Sequence, residues 1–133
     1  MKHSRDARDL LPLTPVVLHI LLALADGSRA ESEDNAGRHG YAVAQEVEDM
    51  TDGQIRMGPG TLYGSIQRML TSQLIEEVTR ARGVPRQPDS DEDERRRYYR
   101  LTSLGRRVLE LELARLARVV NVARAKRLLP EPA

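Results

Sequence analysis

The stretch Gly58-Pro59-Gly60-Thr61-Leu62-Tyr63-Gly64-Ser65-Ile66-Gln67-Arg68-Met69-Leu70, running on to Leu74-Ile75, has the pattern of a helix that offers a polar face to its surroundings. Glycine and proline at its start suit a turn into a helix. Leu62, Ile66, Met69 and Leu70 then recur on one helical face. At helical pitch Thr61, Gly64, Gln67, Arg68 and Thr71 point away from that stripe, so side chains able to meet phosphates or base edges share one exposed surface. Gly64 lets another backbone approach closely. An ordinary amphipathic surface helix has the same pattern, so the flanking segments decide between the two readings.

Upstream, Tyr41, Val43, Ala44, Val47 and Met50 mark an amphipathic helix that Thr51-Asp52-Gly53 ends, and Gln54 to Met57 form a short extended piece. Helix, turn and a helix with a polar exposed face is the order of a helix-turn-helix, whose second helix enters the major groove. Downstream, Leu74 to Thr79 reads as a strand leaving the helix and Arg97 to Leu101 as a strand returning. Alternation puts Tyr99 and Leu101 on one face, Tyr98 and Arg100 on the other, which is the shape of a wing. Arg80, Arg82 and Arg86 on the outgoing side and Arg95, Arg96 and Arg97 on the returning side supply cations where a wing meets the sugar-phosphate backbone. A solvated charged hairpin is the plainer account of the same arginines. The tip holds Asp89-Ser90-Asp91-Glu92-Asp93-Glu94, which phosphates repel. Either this acidic run bends away and keeps the hairpin soluble, or it covers Arg95 to Arg97 until DNA displaces it.

At the amino end, Lys2, Arg5 and Arg8 precede an apolar run from Val16 to Ala25, an arrangement that imitates a secretion signal. Asp6, Asp9, Pro12, Pro15 and His19 argue against export, and the run is too short to span a membrane. A buried helix fits better, with Thr14 as cap and Pro15 in the first turn. Residues 26 to 39 then turn polar and small, as a loop does. At the carboxyl end Thr102-Ser103 can cap a long helix. Leu109, Leu113, Leu116, Val120 and Ala123 keep coiled-coil spacing on it, while Leu104, Val108 and Leu111 lie on an adjoining face. Two faces suggest two partners, the chain's own body and a second copy.

Composition narrows the function classes. The 133 residues suit a single domain, and a net charge of +1 means that any affinity for nucleic acid is local. The absence of cysteine excludes disulfides, thiol catalysis and cysteine-ligated zinc, and is compatible with the cytoplasm. Four tyrosines, with no phenylalanine or tryptophan, are too few for a single-strand stacking platform. His3, His19 and His39 show no metal or triad spacing. The Gly58-Pro59-Gly60 turn lacks the lysine and hydroxyl of a phosphate-binding loop. The chain is therefore expected to be no enzyme and to carry no metal or cofactor.

Three motifs in order carry a resemblance to the PadR family of winged-helix transcriptional regulators, which extends from Leu13 to about Leu129. They are His39-Gly40-Tyr41, then Gly58-Pro59-Gly60-Thr61-Leu62-Tyr63 with Gln73-Leu74-Ile75 closing its helix, and Arg96-Arg97-Tyr98-Tyr99-Arg100-Leu101-Thr102. The resemblance implies a homodimeric repressor whose final helix and part of its first helix, around Val17 and Leu21, make the dimer contact. It also implies that the helix from Gly60 reads operator DNA. Two departures stand out: the polar segment around Arg29 to Arg38, where the family has a short turn, and the long acidic wing. Some family members bind small aromatic effectors with the help of tryptophan, which this chain lacks, so a small-molecule effector has no assigned residue here.

The expected fold is mainly α with a small β-hairpin, a winged helix-turn-helix with a long C-terminal dimerisation helix. Residues 1–12 are expected as a flexible amino-terminal segment. Residues 13–101 form the DNA-binding domain, with a polar loop at 27–38 and an acidic wing tip at 83–94. Residues 102–129 make the dimerisation helix and 130–133 a tail. Thr61, Gly64, Ser65, Gln67 and Arg68 are expected to meet the major groove of double-stranded DNA, Tyr63 to border the backbone, and Arg80, Arg82, Arg95, Arg96 and Arg97 to neutralise phosphates. The dimer contact is expected from Val17, Leu21, Leu109, Leu113, Leu116 and Val120. The rival reading is a winged helix that meets a protein partner instead of DNA.

Overall fold

Thr14 and Pro15 open the first long helix, as the sequence leads one to expect. In the computed structural model, which describes residues 7–25, 38–78 and 97–130, the Thr14 hydroxyl accepts from the Val17 amide at 3.2 Å and Pro15 sits in the first turn of α1, Pro15–Leu24. Since a carbonyl can only accept, His19 Nδ1–H donates to the Pro15 carbonyl at 2.7 Å, which satisfies a polar ring inside an apolar run. The polar segment after α1 and the acidic wing tip lie outside the described residues.

Arg38–His39 form a two-residue strand, β1, directly before α2, Gly40–Met50. His39 is also the cap of α2, its Nδ1 accepting from the Tyr41 amide at 3.2 Å. After α2 the chain reverses through Asp52 and Gly53, both at positive φ. The Thr51 hydroxyl pins this turn by donating to the Val47 carbonyl at 2.8 Å and accepting from the Ile55 amide at 3.0 Å. Helix α3 then spans Pro59–Thr71. It stops where Gln73 takes a left-handed φ of 66°, the Gln73 amide bonding to the Leu70 carbonyl and the Leu74 amide to that of Met69. That pair of bonds is a Schellman closure, here with glutamine at the position glycine usually fills.

The chain leaves α3 as β2, Ile75–Val78, and returns as β3, Tyr98–Leu101, in antiparallel register with Ile75 opposite Leu101 and Val78 opposite Tyr98. Tyr99 is buried, so the alternation across the hairpin is the expected one. The sheet has a third strand, because β1 pairs with the other edge of β3, and the order is β1-β3-β2. The last element, α4, spans Ser103–Ala125. Its cap, Thr102, accepts from the Gly105 amide at 2.9 Å and donates to the Gln73 carbonyl at 2.6 Å, fastening the start of α4 to the end of α3.

Ile20, Leu21 and Leu24 of α1, Val43 and Val47 of α2, and Leu62, Ile66 and Met69 of α3 meet Ile75, Tyr99, Val108 and Leu109 in one aliphatic core. At about 25 cal/mol per Å² of apolar surface removed from water, each such side chain stabilises the fold by roughly 1.5–3 kcal/mol. Two expectations are corrected here. Residues 7–12 are not a loose leader: Ala7–Leu10 form a 3-10 helix, Ala7 is buried, and Leu10 and Leu11 pack on the core. Leu21 and Leu109, expected at a dimer surface, are buried within the chain itself, because α1 and the first half of α4 pack on each other's apolar faces. Val17, Leu116 and Val120 are half-buried and Leu113 is exposed.

Candidate nucleic-acid interface

The core face of α3 is set by Leu62, Ser65, Ile66 and Met69, all buried. Thr61, Gln67, Arg68 and Thr71 are exposed and Gly64 is half-exposed, so the structure brings five of the small and polar residues expected on the outer surface into one strip. Ser65 is the exception. It is 1% exposed, and its hydroxyl is spent inside the helix, accepting from Arg68 Nη2 at 3.2 Å. In this conformation Ser65 is covered and its hydroxyl meets Arg68 at the border between the core face and the strip.

Tyr63, expected to border the DNA backbone, packs on a neighbouring helix as well as facing solvent. It is 42% exposed, yet its ring lies against α2: a β-carbon at Gly40 would be 3.4 Å from both Cε1 and the hydroxyl of Tyr63. A β-carbon there would stand at ordinary contact distance, so α2 passes Tyr63 at van der Waals range at the edge of the strip. His39 meets the ring of Tyr98 edge-on, with centroids 5.9 Å apart, extending this aromatic border to the sheet.

At the base of the wing, cations and carboxylates alternate across the strands. Arg100 Nε is 2.7 Å from Glu76 Oε2, and Arg97 Nε is 3.6 Å from Glu77 Oε2. Both pairs are half in water, so they contribute little to stability. Glu77 is the carboxylate that faces Arg97 at the base of the hairpin. Burial pushes the Tyr99 hydroxyl pKa up, with the Glu77 carboxylate and Tyr63 adding to it, so Tyr99 stays neutral behind the hairpin. Arg80, Arg82, Arg86, Arg95 and Arg96 lie outside the described residues.

A charged residue that the sequence reading passed over ties the amino-terminal segment to α4. Glu112, 1% exposed on α4, accepts from the Leu13 amide at 3.0 Å and from Arg115 Nε at 2.7 Å. The Arg115 hydrogen bond outweighs burial and, with the Leu13 amide, holds the carboxyl below its usual range. Its signal lay in the spacing, since Gly105, Val108, Leu109 and Glu112 occupy one helical face. What a carboxylate does there depends on Leu13, ninety-nine residues away in the chain.

Among the described residues no helix is long and apolar enough to cross a membrane. The family model for the transcriptional regulator PadR-like family matches residues 33–111, more than half of the chain. An uncharacterized 37.1 kDa protein in transposon TN4556 of Streptomyces fradiae is 33% identical over 100 residues, 75% of this chain and 22% of that protein. An uncharacterized protein X of Lysinibacillus sphaericus is 32% identical over 72 residues, 54% of this chain and 59% of that one. The chain thus spans less than two thirds of either relative. The crystal structure of a PadR-like transcriptional regulator from Bacillus cereus superposes with a TM-score of 0.60 at 19% identity, covering 87% of this chain and 93% of that one. A transcriptional regulator from Clostridium thermocellum does so with a TM-score of 0.55 at 19% identity, over 82% of this chain and 87% of that one. At such identities the likeness is one of fold.

Proposed function

This chain belongs to the PadR-like family of transcriptional regulators, and from that premise we propose that it is a cytoplasmic, homodimeric repressor reading a pseudo-palindromic operator with the exposed strip of α3. The observation that carries the reading is the strip itself: Thr61, Gly64, Gln67, Arg68 and Thr71 face outward from a helix that follows α2 after the turn at Asp52-Gly53 and a short extended piece, where a major groove would lie. Tyr63 borders the backbone, and the wing arginines neutralise phosphates.

Dimerisation is supported by the second half of α4. Beyond Glu112 none of its residues is buried, although Leu113, Val119 and Val122 are among the large apolar side chains it exposes. A second copy packed along Leu113, Leu116 and Val120 would cover that seam, with Val17 contributing from α1. Two recognition helices would then fall about 34 Å apart, one turn of the duplex.

Binding of the full chain to a fragment upstream of its own coding sequence, against scrambled DNA over a salt series, tests the reading. The expected result is preferential binding whose log affinity falls linearly with log salt, at about −0.9 per phosphate neutralised. Arg68→Ala is expected to lose roughly 1–3 kcal/mol, concentrated at one base pair per half-site. Binding that is absent, or blind to both sequence and salt, would give the exposed strip to a protein partner instead.

The glycine in the strip gives an independent check. A β-carbon at Gly64 would meet nothing closer than Arg68 Nη1 at 3.7 Å, an ordinary contact, so the fold has no steric need for glycine there. Gly64→Ala is expected to raise stability by about 0.5–1 kcal/mol in a denaturant titration, from helix propensity. The same variant is expected to weaken DNA binding, because the backbone at Gly64 approaches the duplex.

A further inference from the structure

Arg68 lies in the third turn of α3, whereas the residues of a recognition helix that reach base edges come mainly from its amino-terminal part. Its exposed side chain folds back along the helix. Nη2 donates back to the buried hydroxyl of Ser65 at 3.2 Å, and Nη1 lies over the bare backbone of Gly64. Three residues of helical rise are about 4.5 Å, so the guanidinium is carried that far toward the groove-entering end of the helix. Resting on the reading of α3 as a DNA-reading helix, we propose that Ser65 is a positioning residue that aims Arg68 at a guanine in each half-site.

The geometry suits that task. Ser65 is held on the core face among Leu62, Ile66 and Met69, so its hydroxyl is a fixed acceptor. Arg68 Nη1 lies 3.7 Å from where a β-carbon at Gly64 would stand, so the guanidinium rests against Gly64 at ordinary contact distance. One N–H of five is spent on Ser65, and the others suffice for the two-pronged bond that arginine makes to guanine O6 and N7. Holding a long side chain in its bound rotamer lowers the entropy lost on binding, and that benefit goes to the base the held fork matches.

The test uses the full chain and a duplex enriched from a randomised library by the unsubstituted protein, with single base-pair variants of that duplex. Ser65→Ala is expected to lower discrimination at one guanine-containing pair per half-site by roughly threefold to tenfold, the size of one ordinary intramolecular hydrogen bond. The salt slope is expected to stay unchanged. In an Arg68→Ala background, Ser65→Ala is expected to change nothing further, as a double-mutant cycle requires when one residue acts through the other. If Ser65→Ala fails to fold by circular dichroism, Ser65→Cys, whose sulfur accepts only weakly, is read in its place with the same expected sign. A uniform loss at all positions, or a loss that persists in the Arg68→Ala background, makes Ser65 merely structural and overturns the proposal. Failure of the unsubstituted protein to enrich any sequence instead overturns the DNA-reading function beneath it.

Discussion

Gly105→Ala is expected to destabilise the fold by about 3 kcal/mol or more, although alanine is the better helix former by about 1 kcal/mol. The first turn of α4 crosses directly over the backbone of Leu74. A β-carbon at position 105 would fall inside the Leu74 carbonyl oxygen and 2.9 Å from its carbonyl carbon. Both are backbone atoms, so no rotamer change relieves the overlap. The only relief is to lift α4, which breaks the bond from the Thr102 amide to the Leu74 carbonyl and that from the Thr102 hydroxyl to the Gln73 carbonyl. It also loosens Val108 and Leu109 from the core. A urea titration should show a lower midpoint at unchanged slope. A Gly105→Ala chain as stable as the original would mean that α4 and the Leu74 backbone do not cross this closely. The contrast with Gly64→Ala, stabilising for the same propensity reason, isolates the steric term.

Glu112→Gln carries the second large effect. The carboxylate serves two elements at once, tying Leu13 and the 3-10 helix before it to α4 and accepting twice from Arg115, at 2.7 and 3.0 Å. Removing its charge leaves the Arg115 fork and the Leu13 amide with a weaker acceptor, at an expected cost of about 1–3 kcal/mol. The figure stays below that of a fully buried pair because Arg115 is itself half in water. The folded carboxyl pKa is lowered, chiefly by the Arg115 hydrogen bond. Its stabilisation is therefore fully present above the ordinary carboxylate value of about 4.3 and is lost as pH falls through the lowered folded value. Urea midpoints measured from about pH 7 down to about pH 3 should fall less steeply for Glu112→Gln than for the unsubstituted chain. Equal acid sensitivity of the two would assign that loss to other carboxylates.

What the sequence determined by itself is what local chemistry controls. The cap at Thr14 and the proline after it, the Gly58-Pro59 entry to α3, the outer strip from Thr61 to Thr71, and the alternation that buries Tyr99 could all be read from neighbours a few residues apart. Each depends on a backbone preference or a helical or strand period. Tertiary structure decided the rest, because each remaining feature joins residues distant in the chain. The strand Arg38–His39 exists only because β3 has an unpaired edge beside it. Ser65 turned inward because the core face of α3 is wide enough to include a small hydroxyl, and Arg68 supplies its partner. Leu21 and Leu109 went to the core because α1 and α4 pack within one chain before any second copy is met. Beyond their spacing, Glu112 and Gly105 carry no distinguishing signal among their neighbours in the sequence. Only the arrival of Leu13 and of the Leu74 carbonyl against α4 makes one a fastening and the other the sole residue small enough to fit, since a buried charge and a backbone crossing are defined by what stands opposite them.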